Sequence, residues 1–125
     1  MITYNVASTL YALASRRKDG TVDAEGGPVP TDGFYVGGVV KSLVFDSVSS
    51  IDVGELGWFV GLNSARHYGV WADQRDGQIY FDVVDHVETL ADALYLGRER
   101  GEIAIWDIAA SEEVLCALEG EEQDN

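Results

Sequence analysis

The clearest alternation of apolar and polar positions lies in residues 67–86, HYGVWADQRDGQIYFDVVDH. Near its centre, Asp76-Gly77 is a strong signal for a two-residue hairpin turn, because both central residues of a type I′ turn have positive φ. Such a turn pairs Arg75 with Gln78 and fixes which side chains share a face. The apolar set then forms one core face: Tyr68, Val70, Ala72, Ile79, Phe81 and Val83.

The opposite face of this predicted hairpin is polar and aromatic. In the same register His67 lies across from His86, Trp71 from Asp82 and Asp73 from Tyr80. Aromatic rings among carboxylates indicate a contact patch for a partner, or else a face covered by the N-terminal segment. The predicted interaction face therefore consists of Trp71, Asp73, Tyr80 and Asp82.

The two histidines raise the alternative of a metal site. Histidines on paired strands can share a metal ion, and Asp82 can supply a third ligand if the strand ends twist suitably. The chain lacks a compact ligand motif such as two histidines one turn apart on a helix. We therefore predict no metal and no cofactor, and keep His67, His86 and Asp82 as the alternative ligand set. An acid-base role for Asp82 beside His86 or Tyr80 is a further alternative.

Two segments show helical spacing, at about residues 52–62 and 89–101. Asp52 and Thr89 are the expected N-caps, and Gly101 is the expected C-terminal stop. Residues 34–45 predict two strands separated by a bend at a glycine pair, and residues 102–109 predict a central strand. A short final helix is predicted at 111–118, while the type of the N-terminal element is left open.

The resulting order, β-β-α-β-β-α-β, predicts an α+β fold. We expect a single domain over residues 1–118, with a mainly antiparallel sheet and the two main helices packed on one face. Turn signals predict a mobile loop over residues 18–32. Residues 119–125, EGEEQDN, predict a disordered acidic tail.

The net charge of the chain limits the classes of binding partner that we expect. The 125 residues include 22 acids and 8 bases, giving a net charge of −14, and no base follows Arg100. Such a field repels nucleic acid and attracts basic protein surfaces. Acidic composition also favours solubility and is typical of high-salt or GC-rich genomes, so the charge alone does not decide among these explanations.

The location of the protein is predicted from its apolar segments and its cysteine. No apolar run approaches the roughly 20 residues that span a membrane, and the first residues lack the basic segment of a signal peptide. The single cysteine, Cys116, cannot close an intrachain disulfide and lies near Glu112 and Glu113, which disfavour a thiolate. We expect a soluble, cytoplasmic protein in which Cys116 is a packing residue.

Three stretches together resemble short acidic proteins encoded by actinobacterial phages: FYVGGVVKSLVF, YGVWADQRDGQIYFDVVDHVE and ADALYLGRERGEIAIWDI. The resemblance covers about residues 33–108. It implies a phage or a related mobile element as the source, and therefore action in the cytoplasm of a host cell. It implies no known activity and no catalytic residue.

The function that these patterns predict is non-enzymatic: an acidic protein that binds or inhibits a host protein with a basic surface, such as a nucleic-acid-binding or defence protein. Mimicry of DNA by ordered carboxylates is a sharper form of this prediction. One alternative is a small metal-assisted hydrolase or nuclease using His67, Asp82 and His86. Another is a virion or structural component that packs through Trp58 and the glycine-rich helix. Neither the partner nor the oligomeric state follows from the sequence.

Overall fold

A computed structural model describes residues 5–73 and 75–116. These residues form an α+β fold with three α-helices and a mostly antiparallel sheet of seven strands, which confirms the predicted class. The strand order is β1-β4-β5-β2-β6-β7, with β3 also paired to β5. The elements are α1 Val6–Ser15, β1 Gly20–Asp23, β2 Phe34–Val36, β3 Leu43–Phe45, a 3-10 turn Val48–Ser50, α2 Val53–Asn63, β4 His67–Ala72, β5 Ile79–Val87, α3 Leu90–Glu99, β6 Ala104–Asp107 and β7 Glu112–Leu115.

The chain divides into two compact units. Of the described residues, the first unit combines 5–29 with 40–83, and the second combines 30–39 with 84–116. Strand β5 contributes its first part to the first unit and its last part to the second. Among the described residues, no helix is long and apolar enough to cross a membrane.

The core of the first unit lies between its helices and one sheet face. Leu10 of α1 and Leu56 of α2 are fully buried together with residues of β4 and β5. Strand β1 pairs with β4, placing Val22 across from Tyr68. All six residues of the predicted core face are buried, so this prediction is confirmed: Tyr68, Val70, Ala72, Ile79, Phe81 and Val83.

The hairpin between β4 and β5 differs from its predicted register. The Asp73 N–H donates to the Gln78 carbonyl over 2.8 Å, and the rings of Trp71 and Tyr80 stack on each other. Trp71 therefore lies across from Tyr80 and not from Asp82, so the predicted pairing was wrong by two positions. Because side chains alternate with a period of two, this shift leaves the two faces unchanged.

The reason for the shift lies in the loop, which is wider than a two-residue turn. Of the two predicted turn residues, only Gly77 has positive φ, at 78°. The Asp73 carboxylate accepts the Arg75 N–H over 2.8 Å, and the Asp76 carboxylate accepts the Gln78 N–H over 2.9 Å. These bonds satisfy backbone donors that a tighter turn would pair across the strands.

The second unit packs α3 against one face of its strands. Strand β2 pairs with the end of β5 and with β6, and β6 pairs with β7. Its buried core contains Val36, Ala93, Ile105 and Cys116. Cys116 is thus a packing residue, as predicted. A Cβ at Gly97 would lie 2.7 Å from the Cys116 sulfur, so α3 needs glycine there.

Both predicted helices are present with their predicted caps. The Asp52 side chain accepts the Glu55 N–H, and the Thr89 side chain accepts the Asp92 N–H. Gly101 follows α3 with φ 72°. The element of undecided type is helix α1, which Asn5 caps by accepting the Ser8 N–H. The two strands around the glycine pair and strand β6 between β2 and β7 are also present.

Two local predictions need correction. The predicted final helix is strand β7, since Val114 lies opposite the buried Ile105 and extends the sheet. Ser111, with φ 54°, reverses the chain before it. The segment predicted as a loop over 18–32 contains strand β1. The predicted acidic tail lies outside the described residues.

Candidate interaction surface

The outer sheet face of the first unit carries a stacked aromatic pair. The ring centroids of Trp71 and Tyr80 are 4.4 Å apart and their planes differ by 10°. Trp71 is 40% exposed, and Val44, which pairs with Tyr80 in the ladder, is 39% exposed. Alternation along β3, β4 and β5 directs these three side chains away from the core. We call Val44, Trp71 and Tyr80 the aromatic face.

Hydrogen bonds hold both rings in place. The Tyr80 hydroxyl donates to the Gln78 side-chain oxygen over 2.9 Å, and the Gln78 amide donates to Asp46 over 3.5 Å. The Trp71 side chain interacts with the Asp82 carboxylate and lowers its pKa. Fixed rings lose little conformational entropy when a partner covers them, so the aromatic face is preorganised for contact.

Asp82 lies beside the indole and is half-buried. Ser42 donates a hydrogen bond to its carboxylate. Burial raises the pKa of Asp82, because the charged form loses hydration, while the bonds from Ser42 and Trp71 lower it and offset only part of the shift. Of the predicted interaction residues, Trp71, Tyr80 and Asp82 are thus brought together.

Asp73, the fourth predicted residue, shapes the hairpin loop. It is buried, and its carboxylate accepts both the backbone N–H of Arg75 and the Arg75 guanidinium, the latter over 3.3 Å. These bonds, and most of all the bond from the guanidinium, hold the pKa of Asp73 below its ordinary value. Its carboxylate therefore faces the loop and is not available as an open contact residue.

His67 is buried in the first unit beside Asp23. Its Nε2 lies 3.6 Å from the Asp23 carboxylate, which also accepts Arg66 Nε over 2.5 Å. The backbone N–H groups of Glu25 and Gly27 donate to the same carboxylate. The Arg66 bond, more than any other cause, lowers the pKa of Asp23. This cluster fastens the chain after β1 to the start of β4.

His86 belongs to the second unit and has partners there. Its Nε2 is 2.8 Å from the Asp32 carbonyl oxygen, and its ring meets Tyr35 edge-on at 6.2 Å. The predicted opposition of His67 and His86 was wrong because it depended on the two-residue turn. In residues 5–73 and 75–116, no three His, Cys, Asp or Glu side chains are grouped so that they could hold a metal ion.

The sequence-based prediction missed two contributors to this surface, Ser42 and Val44. Leu43 and Phe45 alternate with them, so an inward assignment of the apolar pair would have directed both outward. The Asp23–Arg66 ion pair has no comparable signal, because it joins distant segments. Comparison with protein-family models, with curated proteins and with solved structures found no match.

Proposed function

We propose that this chain is a non-enzymatic acidic interaction protein that binds a basic surface of a host protein through its aromatic face. The observation that carries the proposal is the stacked, partly exposed Trp71–Tyr80 pair beside a carboxylate. Tryptophan and tyrosine dominate the energetics of protein interfaces. Their rings also attract cationic side chains, arginine in particular.

Charge around the aromatic face favours a cationic partner. Exposed carboxylates stand at the ends of its strands: Asp19 accepts the Ala72 N–H, and Asp46 accepts the Gln78 amide. Two arginines of the first unit, Arg66 and Arg75, form ion pairs with aspartates. The net charge of −14 would steer a basic surface towards the protein.

The setting proposed for this interaction is a host cell infected by a phage or carrying a related mobile element. A nucleic-acid-binding or defence protein offers the basic surface that the aromatic face requires. In the DNA-mimic form of the proposal, the carboxylates would occupy the positions of phosphates. No observation on the described residues favours the metal-dependent hydrolase, whose ligand set is not assembled.

The proposal is tested with a fluorescein-labelled oligoarginine peptide as the probe. We expect the full chain to bind it, with an affinity that falls as salt rises. Trp71→Ala should weaken binding by about tenfold or more, as truncation of an interface anchor does. Tyr95→Ala on α3, which removes another exposed aromatic ring at unchanged charge, should alter it by less than about twofold.

Fluorescence anisotropy titrations at two salt concentrations provide the measurement. Equal affinities of the peptide for the unmodified chain and for Trp71→Ala would mean that general charge attraction explains the binding. The aromatic face would then not be the binding site. Absence of binding at low salt would reject the basic partner. Circular dichroism of each variant checks that the fold is retained.

A further inference from the structure

Strand β7 forms an edge of the sheet in the second unit. It pairs antiparallel with β6 on one side, and among the residues that the structure describes no strand pairs with its other side. The backbone N–H and C=O groups along such an edge can pair with a strand of another chain. The outer side of β7 is therefore a place where an extended segment can add to the sheet.

The hydrogen bonds to β6 determine which residues of β7 direct their backbone groups outward. The Cys116 N–H donates to the Ile103 carbonyl over 2.9 Å, so the backbone of Cys116 faces β6. In an antiparallel ladder, consecutive residues direct their backbone groups to alternate sides of the strand. The backbone groups of Val114 therefore also face β6, whereas those of Glu113 and Leu115 face away from it. Each of these two residues directs one donor and one acceptor to the outer side.

The side chains of β7 give this edge an apolar end and an acidic end. Leu115 is 59% exposed and Val114 is half-buried. Glu112 and Glu113 are exposed at the other end, and neither forms an ion pair with any described residue. A strand added here would thus meet apolar side chains first and two carboxylates after them.

The charges around β7 favour a basic occupant. A second copy of this chain would bring the same two acids to an acidic edge, and the net charge of −14 on each copy opposes association. The last seven residues of the chain, EGEEQDN, are acidic as well. Arg98 of α3 donates to the Cys116 carbonyl at the apolar end, so it does not neutralise the acidic end. Cations opposite Glu112 and Glu113 would stabilise an added strand.

We propose that the outer side of β7 binds an extended segment of a partner protein, in which two apolar residues are followed by two basic residues. The strands of the second unit pair antiparallel, and antiparallel pairs are slightly more stable per residue, so we place the segment antiparallel to β7. Its apolar residues then lie opposite Leu115 and Val114, and its basic residues lie opposite Glu113 and Glu112. This site is separate from the aromatic face and does not rest on the function proposed above.

NMR titration of the ¹⁵N-labelled full chain with the acetylated and amidated peptide Ser-Val-Val-Lys-Lys-Ser tests the proposal. We expect the largest shifts at the amides of Glu113 and Leu115, whose N–H groups gain carbonyl partners. Methylation of the backbone nitrogens of the first valine and the first lysine removes the donors that face β7, and it should weaken binding at least about tenfold. Methylation at the second valine and the second lysine, whose N–H groups face away, is the matched control and should change the affinity by less than about twofold.

Variants of the chain test the charge at this edge. Glu113→Gln keeps the backbone groups and removes one acid, so it should weaken binding of the unmethylated peptide by about twofold to fivefold. Glu88→Gln makes the same change at another exposed position of the second unit and should alter the affinity less. Trp71→Ala should leave the shifts at Glu113 and Leu115 unchanged, so the failure of this site and the failure of the aromatic face are observed separately.

Three results would overturn the proposal. Equal affinities of the two methylated peptides would mean that charge attraction explains the binding and that no strand is added. Absence of shifts at Glu113 and Leu115 at about 2 mM peptide would mean that the segment does not bind at this edge. Slow hydrogen exchange of these two amides in the peptide-free chain would mean that the edge is already paired, by the end of the chain or by a second copy. Fast exchange without the peptide, with weaker binding of the first methylated peptide alone, supports the proposal.

Discussion

The surroundings of individual carboxylates in this chain shift their pKa in opposite directions. Asp23 and Asp73 accept guanidinium bonds that lower their pKa, so these two groups stabilise the fold when charged. That stabilisation is present above the ordinary aspartate pKa of 3.8 and is lost as the pH falls through the lowered value. Asp82 has a raised pKa because it is buried. Its contribution is present below 3.8 and is lost as the pH rises through the raised value.

We therefore expect Asp82→Asn to raise the melting temperature at pH 7. Asparagine is close in shape and can accept the Ser42 and Trp71 bonds, but it carries no charge that burial would penalise. The gain should shrink as the pH approaches 3.8, because Asp82 of the unmodified chain is then protonated. Thermal melts followed by circular dichroism across this range provide the measurement.

Asp46→Asn is the matched control, since Asp46 is an exposed aspartate on the same surface. It should change the melting temperature little at either pH. A lower melting temperature for Asp82→Asn at pH 7 would show that the charged carboxylate stabilises this surface, contrary to the expected sign.

At the scale of elements, the helices α2 and α3 use glycine for different reasons. Gly97 lets α3 approach the core of the second unit, where a Cβ would lie 2.7 Å from Cys116 and 3.0 Å from Ile105. A Cβ at Gly57 of α2 would meet no atom of the described residues within 4 Å. The same substitution should therefore have opposite effects on stability in the two helices.

Gly57→Ala should raise the free energy of unfolding by about 0.5–1 kcal/mol, the difference in helix propensity between alanine and glycine. Gly97→Ala should lower it by about 1–3 kcal/mol, because the added methyl group overpacks a core. Urea unfolding of both variants beside the unmodified chain compares the two effects. Equal effects of the two substitutions would contradict the packing described for α3.

At the scale of the whole molecule, most of the charged side chains are acidic and repel one another. With 22 acids against 8 bases, charge repulsion should outweigh the ion pairs of Arg66, Arg75 and Arg100. We expect the melting temperature to rise between about 0.02 M and about 0.5 M NaCl, because salt screens the repulsion. KCl should act alike, since screening depends on ionic strength. A melting temperature that falls with salt would mean that the ion pairs matter more than the net charge.

Much of the fold follows from local patterns in the sequence. The caps Asp52 and Thr89, and the alternation in β4 and β5, are local signals, and they predicted the helices, the strands and the buried face of the hairpin. The hairpin register failed because the carboxylates of Asp73 and Asp76 stabilise a wider loop than Asp76-Gly77 indicated. Strand β7 was missed because its four residues are exposed except at the half-buried Val114, which leaves little alternation to indicate a strand.

Local patterns in the sequence likewise predicted only part of the candidate surface. Alternation placed Trp71, Tyr80 and Asp82 on one face, but the Trp71–Tyr80 stack depends on the register. Ser42 reaches Asp82 from a strand that is distant in sequence. The Arg75 bonds to Asp73 are local but form only in the wider loop, which the Asp76-Gly77 signal did not indicate. The Asp23 contact beside His67 joins segments that are distant in sequence.

The bond from the Trp71 indole to Asp82 gives the protein an optical indicator of its own protonation state. Indole emission depends on the charge beside the ring, and Asp82 gains or loses that charge at a pH above the ordinary aspartate range. In a variant whose other two tryptophans, Trp58 and Trp106, are replaced by phenylalanine, the fluorescence of Trp71 should therefore follow a titration curve that Asp82→Asn abolishes. A partner that covers the rings would shift the curve, so that occupancy of this surface could be followed without any attached dye.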